Sequence, residues 1–261
     1  MKRMNWEENL LLQGDCLLLL PKLEDRSVDM VLCDLPYGTT ECNWDKKLDL
    51  ELLWQQYNRI IKDNGIIVFT TSQPFTTELI NSNRKDFKYE WIWVKSNCTG
   101  FQHAKNRPLK NHETIIVFSK GSMGHQNLLG DKRMVYNPQG LVRVNKISRS
   151  KGRRPGTIIG PRPSHKSAYL TEFKNYPKTV FHFDNEKGLH PTQKPVPLFE
   201  YLVKTYSKEG GVVLDNCAGS GTTAIACLNA RRKFILIEKD RKYIPVIIER
   251  VDKHIISLKN N

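Results

Sequence analysis

A doubly wound α/β fold built on a mainly parallel sheet is what this sequence predicts. Three observations carry the expectation. Apolar runs are short enough for buried strands, amphipathic stretches of helical spacing lie between them, and a glycine-rich bend leaves one apolar run and opens a helical one. The chain has 261 residues, enough for one such domain carrying an insertion. With 39% apolar and 26% charged residues, it is neither disordered, collagenous nor a small disulfide scaffold.

The elements follow in order. SVDMVLCD (27–34) reads as a buried parallel strand. LDLELLWQQYNRII (48–61) places Leu50, Leu53, Tyr57 and Ile60/Ile61 on one helical face, with Gly65 as its left-handed cap. GIIVFTTS (65–72), YEWIWVK (89–95) and ETIIVFSK (113–120) are the next strand candidates. VPLFEYLVKTYS (196–207) is a helix, GGVVLD (210–215) a strand, TTAIACLNA (222–230) a helix and KFILIE (233–238) a strand. An amphipathic helix over 240–258 closes the series through Tyr243, Ile247, Val251 and Ile255. There is no internal repeat.

No apolar run approaches the roughly 18 residues of a membrane span, and the N-terminal stretch lacks the features of a secretion signal. The six cysteines, Cys16, Cys33, Cys42, Cys98, Cys217 and Cys227, contain no C-x-x-C pair. Reduced thiols in a cytoplasmic protein are expected, with no disulfide and no metal site.

Charge points to a polyanionic partner. The net charge is +14, and residues 121–188 concentrate it, with 13 Lys/Arg against 4 Asp/Glu. From Lys132 to Thr171 ten basic residues occur and no acidic one. Within that stretch, 148–166 is rich in Gly and Pro and reads as an extended loop. A solvated linker would look similar. The interleaved rings of Tyr136, Tyr169, Phe173, Tyr176, Phe181 and Phe183 favour a nucleic-acid surface instead.

LDNCAGSGTTA (214–224) carries the second signal. Gly219 and Gly221 permit a tight turn and close approach of a ligand to the backbone. Asp215 ends the strand before the bend, and Glu238 ends the next strand, 19 residues after Gly219, where a carboxylate can accept ribose hydroxyls. This is a nucleoside-binding βαβ unit. Gly219, Gly221 and Ala224 also fit G-x-G-x-x-A, so an NAD site stands as an alternative. Near the N-terminus the strand 28–33 runs into Asp34-Leu35-Pro36-Tyr37-Gly38. An acceptor, a stiff turn and a flat ring at a strand end suit a planar group bearing an amino function, although plain turns use the same residues.

These segments resemble a known family. DLPY is similar to the D-P-P-Y catalytic motif of DNA amino-methyltransferases, LDNCAGSGTT to their S-adenosylmethionine loop, and LHPTQKPVPLFEYLV (189–203) to the segment before that loop in the permuted, β-type members. The order of these motifs, with a variable basic region between the first and the last two, is that of the group. Leu35 stands where the family usually has Pro, and Asn216 and Cys217 where it has Pro and Phe.

The resemblance implies a Rossmann-like, circularly permuted, seven-stranded methyltransferase sheet with a basic target-recognition insertion. It divides the chain into a catalytic half over 1–120, the insertion over 121–188 and a cofactor-binding half over 189–261. It implies transfer of a methyl group from S-adenosyl-L-methionine to an amino group of a base flipped out of double-stranded DNA, in a phage or restriction-modification setting. Asp at the first motif position favours adenine N6, with cytosine N4 as the alternative. An NAD-linked oxidoreductase or a silent nucleic-acid-binding module would leave part of the pattern unused.

By the same resemblance, Asp34, Leu35, Pro36 and Tyr37 form the catalytic turn, with the Asp34 carboxylate and Leu35 carbonyl accepting the amine. Asp15, Asp34, His190, Thr192, Gln193, Lys194, Asp215, Cys217, Gly219, Gly221, Thr222 and Glu238 would surround the cofactor. Arg143, Lys146, Arg149, Lys151, Arg153, Arg154, Arg162 and Lys166 would meet DNA. No membrane partner is expected, and a homodimer is allowed.

Overall fold

The computed structural model describes residues 2–38, 46–124, 129–148, 169–186, 188 and 193–260. Its strands are β1 (Lys2–Trp6), β2 (Asn9–Gln13), β3 (Val28–Cys33), β4 (Ile61–Thr71), β5 (Phe87–Thr99), β6 (Lys110–Phe118), β7 (Val142–Ser148), β8 (Tyr169–Lys174), β9 (Val180–Phe183), β10 (Val212–Asp215) and β11 (Lys233–Glu238). The α-helices are α1 (Cys16–Leu19), α2 (Leu50–Ile60), α3 (Phe75–Ser82), α4 (Val196–Tyr206), α5 (Thr222–Asn229) and α6 (Tyr243–Lys259).

Nine strands form one sheet in the order β1-β2-β11-β10-β3-β4-β6-β5-β9. From β2 to β4 every pairing is parallel, while β6 runs antiparallel to both its neighbours. The seven strands from β2 to β5 are the expected sheet. β1 and β9 add one strand to each edge, β1 as a hairpin partner of β2 and β9 where the chain returns alongside β5. The parallel run β10, β11, β2 passes from the C-terminal part of the chain to its N-terminal part, which is the permuted connectivity.

Alternation along each strand explains why both faces are covered. Met30, Leu32, Ile66, Val68 and Val213 pack with residues of α4, α5 and α6. Their neighbours Val31, Cys33, Ile67, Phe69 and Leu214 pack with residues of α1, α2 and α3. Strands buried on both sides read as continuous apolar runs. In α2, the Asp49 side chain accepts from the Glu51 and Leu52 amides, and Leu53, Trp54, Tyr57 and Ile60 are buried.

Gly65 does not cap α2. The helix ends at Ile60 and the chain turns directly into β4, which contains Gly65. A glycine is needed there for space: a Cβ would lie 2.9 Å from the Asp29 carbonyl oxygen and 2.7 Å from the Ile61 side chain.

The chain divides into two compact units, Met1–Asn137 with Thr179–Asn261, and Pro138–Lys178. The second unit is narrower than 121–188, because the flanks join the main unit: Met134 is in its core and β9 pairs with β5. Three of the interleaved rings belong to the main unit as well. Tyr136 packs against Tyr206, while Phe181 and Phe183 pack against Tyr201. Burial of apolar area, rather than a nucleic-acid surface, accounts for those three. The second unit contains the antiparallel hairpin β7–β8, where Arg143 and Lys146 are exposed.

Candidate active site

β3 and β10 are adjacent and parallel, with Val213 opposite Met30 and Leu214 opposite Val31. From β10 the chain continues to β11 on one side, and from β3 to β4 on the other. The crevice between their carboxyl ends is a topological switch point, where open α/β sheets bind ligands. Asp215 ends β10 and Asp34 follows β3, and the two carboxylates are near enough to repel one another.

Asp34 is the centre of a hydrogen-bond cluster. Its Oδ1 accepts from the Tyr37 hydroxyl at 2.7 Å and from the Thr70 hydroxyl, and its Oδ2 from the Lys194 ammonium. The Tyr37 ring stacks on Phe75, with centroids 5.4 Å apart and planes at 25°, so one ring face is covered by the protein. Burial and the Asp34 charge raise the Tyr37 hydroxyl well above the usual phenol range, which keeps it a donor. Leu35 is buried, and its side chain packs in the core on the α2 side of the sheet.

The glycine bend is held from several directions. Gly219 and Gly221 have φ of 52° and 79°, the left-handed region glycine tolerates. The Gly219 amide donates to Glu238 Oε2 at 2.7 Å, and the Asp240 amide to Glu238 Oε1 at 2.7 Å. Arg250 Nη1, on α6, donates to the Ser220 carbonyl at 3.1 Å and to the Thr222 hydroxyl at 3.2 Å. Asp215 accepts from the Cys217 amide at 3.1 Å and the Thr223 hydroxyl at 2.5 Å. Burial pushes its carboxyl up to about 7, and burial likewise raises Glu238.

The two departures in this loop have local solutions. Asn216 accepts a buried 2.5 Å hydrogen bond from Tyr57, tying the loop to α2. The Cys217 thiol accepts from the Asn216 side-chain amide at 3.7 Å and neighbours the thiols of Cys16 and Cys33. Burial lifts Cys33 to about 12, so this cluster is protonated and packs as apolar volume.

Of the other expected residues, Asp15 caps α1 through the Leu17 amide and pairs with Lys239 at 2.8 Å, which holds its carboxyl below the usual range. Gln193 reaches Glu186 at 3.3 Å and the Ser220 hydroxyl at 3.5 Å. Lys194 touches both the bend and the catalytic turn. Its carbonyl accepts from Thr222 of the bend at 3.3 Å, but its side chain turns to Asp34. Arg149, Lys151, Arg153, Arg154, Arg162, Lys166, His190 and Thr192 lie outside the described residues, as does Cys42.

Sequence reasoning missed Thr70, Glu113, Tyr57 and Arg250. Glu113 alone had a legible signal, an acid at the head of the apolar run that becomes β6. Among the described residues no cluster of His, Cys, Asp and Glu could hold a metal ion, and no helix is long and apolar enough to cross a membrane.

Carboxylates along one side of the crevice suit a cationic, hydroxyl-bearing ligand, and a fixed acceptor on the other side suits an amine. Comparison with known proteins shows the family. A family profile for N6/N4 methyltransferases, described as DNA methylase, matches residues 28–249. The chain is 27% identical over 256 residues to the type II methyltransferase M.HpaI of Haemophilus parainfluenzae, covering 93% of this chain and 74% of that protein. It is 28% identical over 259 residues to the DNA adenine methyltransferase YhdJ of Escherichia coli, covering 94% and 83%. Among solved structures, the M1.HpyAVI–SAM complex matches with a TM-score of 0.61 at 21% identity, covering 93% of this chain and 98% of that one. The cytosine-N4-specific PvuII DNA methyltransferase matches with a TM-score of 0.63 at 14% identity, covering 95% and 91%. At those identities the structural likeness is one of fold.

Proposed function

The chain belongs to the N6/N4 DNA methylase family, and we propose that it methylates the N6 amino group of adenine in a base extruded from double-stranded DNA, with S-adenosyl-L-methionine as donor. The observation that carries the reading is the meeting of Asp34 and the Gly219–Gly221 bend at the tips of the adjacent parallel strands β3 and β10. The donor supplies an electrophilic methyl on a sulfonium. Asp215, Glu238 and Asp15 are carboxylates suited to a ligand carrying positive charge, ribose hydroxyls and a ring amine. Glu238 spends one acceptor position of each oxygen on the backbone, which leaves capacity for hydroxyls.

An exocyclic amine is a poor nucleophile because its lone pair is conjugated with the ring. The Asp34 carboxylate and the Leu35 carbonyl accept its two N–H bonds and favour a nitrogen whose lone pair faces the methyl; as the N–C bond forms, the C–S bond would break to leave a neutral thioether, and the extra proton on nitrogen would pass through Asp34 to solvent. This is positioning and fixed electrostatics, with no covalent enzyme intermediate. A base inside a duplex cannot reach the crevice, so extrusion is required, and the Tyr37 face not covered by Phe75 stacks on it. Arg143 and Lys146 of the hairpin, with the basic residues of 149–166, contact the DNA backbone and base edges.

Asp34 at the first motif position supports adenine over cytosine; proteins of both kinds are among those the chain is similar to. The test is expression in a methylation-free bacterial host followed by modification-resolved sequencing of the host DNA. The reading expects N6-methyladenine at a defined short sequence. N4-methylcytosine would move the assignment to the cytosine branch, and unmodified DNA from cells containing folded protein would refute it.

A further inference from the structure

A chain of alternating charges runs behind the catalytic turn. Lys95 of β5 pairs with Glu113 of β6, Glu113 lies 3.6 Å from Lys194, and Lys194 pairs with Asp34. The side chains of Lys194 and Glu113 are only 8% and 12% exposed. Burying ions costs several kcal/mol each unless they are compensated. Glu113 Oε2 has no hydrogen-bond partner among the described residues, so it acts on Lys194 through charge.

We propose that Lys194 and Glu113 are positioning residues of the methyl transfer: Lys194, anchored by Glu113, fixes the Asp34 carboxylate so that one acceptor position, on Oδ2, remains for the target amine. The proposal rests on the reading of the site given above. A carboxylate offers about four acceptor positions. Among the described residues, Tyr37 and Thr70 take both positions on Oδ1, and Lys194 takes one on Oδ2. The rotation of the carboxyl group is thereby set by three donors from three segments of the chain.

The balance of charge explains why both members are needed. Burial alone would push the Lys194 ammonium down, but Asp34 and Glu113 override it and hold it above the usual lysine range. Burial alone would push Glu113 up, but Lys194 and Lys95 hold it below the usual range. Lys110, bonded to the Ser72 hydroxyl, is a further cation facing Glu113. Removing Glu113 would leave Lys194 drawing on Asp34 alone and strengthen its competition with the amine. Removing Lys194 would take away the donor on Oδ2 and free the carboxyl to rotate.

Lys194→Met, Lys194→Arg and Glu113→Gln are compared with the wild-type chain in steady-state methylation of unmethylated DNA. The expected result for Lys194→Met is a kcat lower by roughly 30-fold or more, with KM for donor and DNA within about threefold. Lys194→Arg recovers part of the rate, and Glu113→Gln lowers kcat in the same direction as Lys194→Met by less. A folded Lys194→Met chain with wild-type kcat overturns the proposal. If Lys194→Met does not fold, the near-isosteric Glu113→Gln decides, and an unmoved kcat overturns it. A wild-type chain that transfers no methyl to DNA refutes the proposed function itself, whereas an active wild type with unmoved variants refutes only this inference.

Discussion

Replacing Asp215 by Asn removes a buried acid whose ionisation the fold opposes. Burial moves this carboxyl from an ordinary 3.8 to about 7. That is about three pKa units, each equivalent to about 1.4 kcal/mol, so holding the side chain ionised at pH 8 costs folding at most about 4 kcal/mol. The sign follows from proton binding. Between 3.8 and about 7 the folded chain keeps a proton that the unfolded chain has lost, so this contribution to stability falls as pH rises through that window. Asn keeps one oxygen for the Cys217 amide, and its NH2 group can donate to the Thr223 hydroxyl, which turns to accept. Asp215→Asn is therefore expected to gain stability over wild type in urea unfolding at pH 8, with the gain shrinking at pH 5.5. Calorimetric titration with S-adenosylmethionine is expected to show the opposite: weaker binding by Asp215→Asn at pH 8, and wild-type affinity falling up to tenfold per unit below about 7. A stability difference that is the same at both pH values would refute the reasoning.

Two other perturbations test different parts of the structure. Tyr57→Phe removes the donor to Asn216 and leaves a buried amide oxygen short of a partner, so urea unfolding is expected to show a loss of about 1–3 kcal/mol; an unchanged midpoint would mean the loop does not depend on α2. Changing Arg149, Lys151, Arg153 and Arg154 together to Ala is expected to lower the slope of log affinity for DNA against log salt by about 0.9 for each phosphate no longer neutralised. An unchanged slope would remove that segment from the DNA interface.

Much of the main sheet was legible because its central strands are buried on both faces. Stretches such as 30–33 and 234–237 are wholly apolar, and α2 and α6 show their apolar faces at helical spacing. The edges were less legible. Lys2–Trp6 and Val180–Phe183 are short strands whose identity comes from a neighbour's free edge, which no local pattern records. Phe75–Ser82 carries only three buried residues and shows a correspondingly weak face. At the site, Asp34, Asp215, the glycines and Glu238 stood out because strand ends and a bend mark them. Thr70 and Glu113 reach Asp34 and Lys194 only through pairing of β4 with β3 and β6, so their roles depend on strand order. Lys194 was visible as a polar residue among prolines, but the direction of its side chain was not. Gly65 was misread because a glycine after a helix more often serves as a cap than as space for an adjacent strand.

The central claim is that the Asp34 carboxylate serves an amine across the crevice from a donor held at the Gly219–Gly221 bend. Asp34→Ala, assayed with donor labelled on its methyl group, separates the two halves of that claim. The expected result is loss of label transfer to DNA with donor affinity retained. Label transfer at the wild-type rate by Asp34→Ala would contradict it.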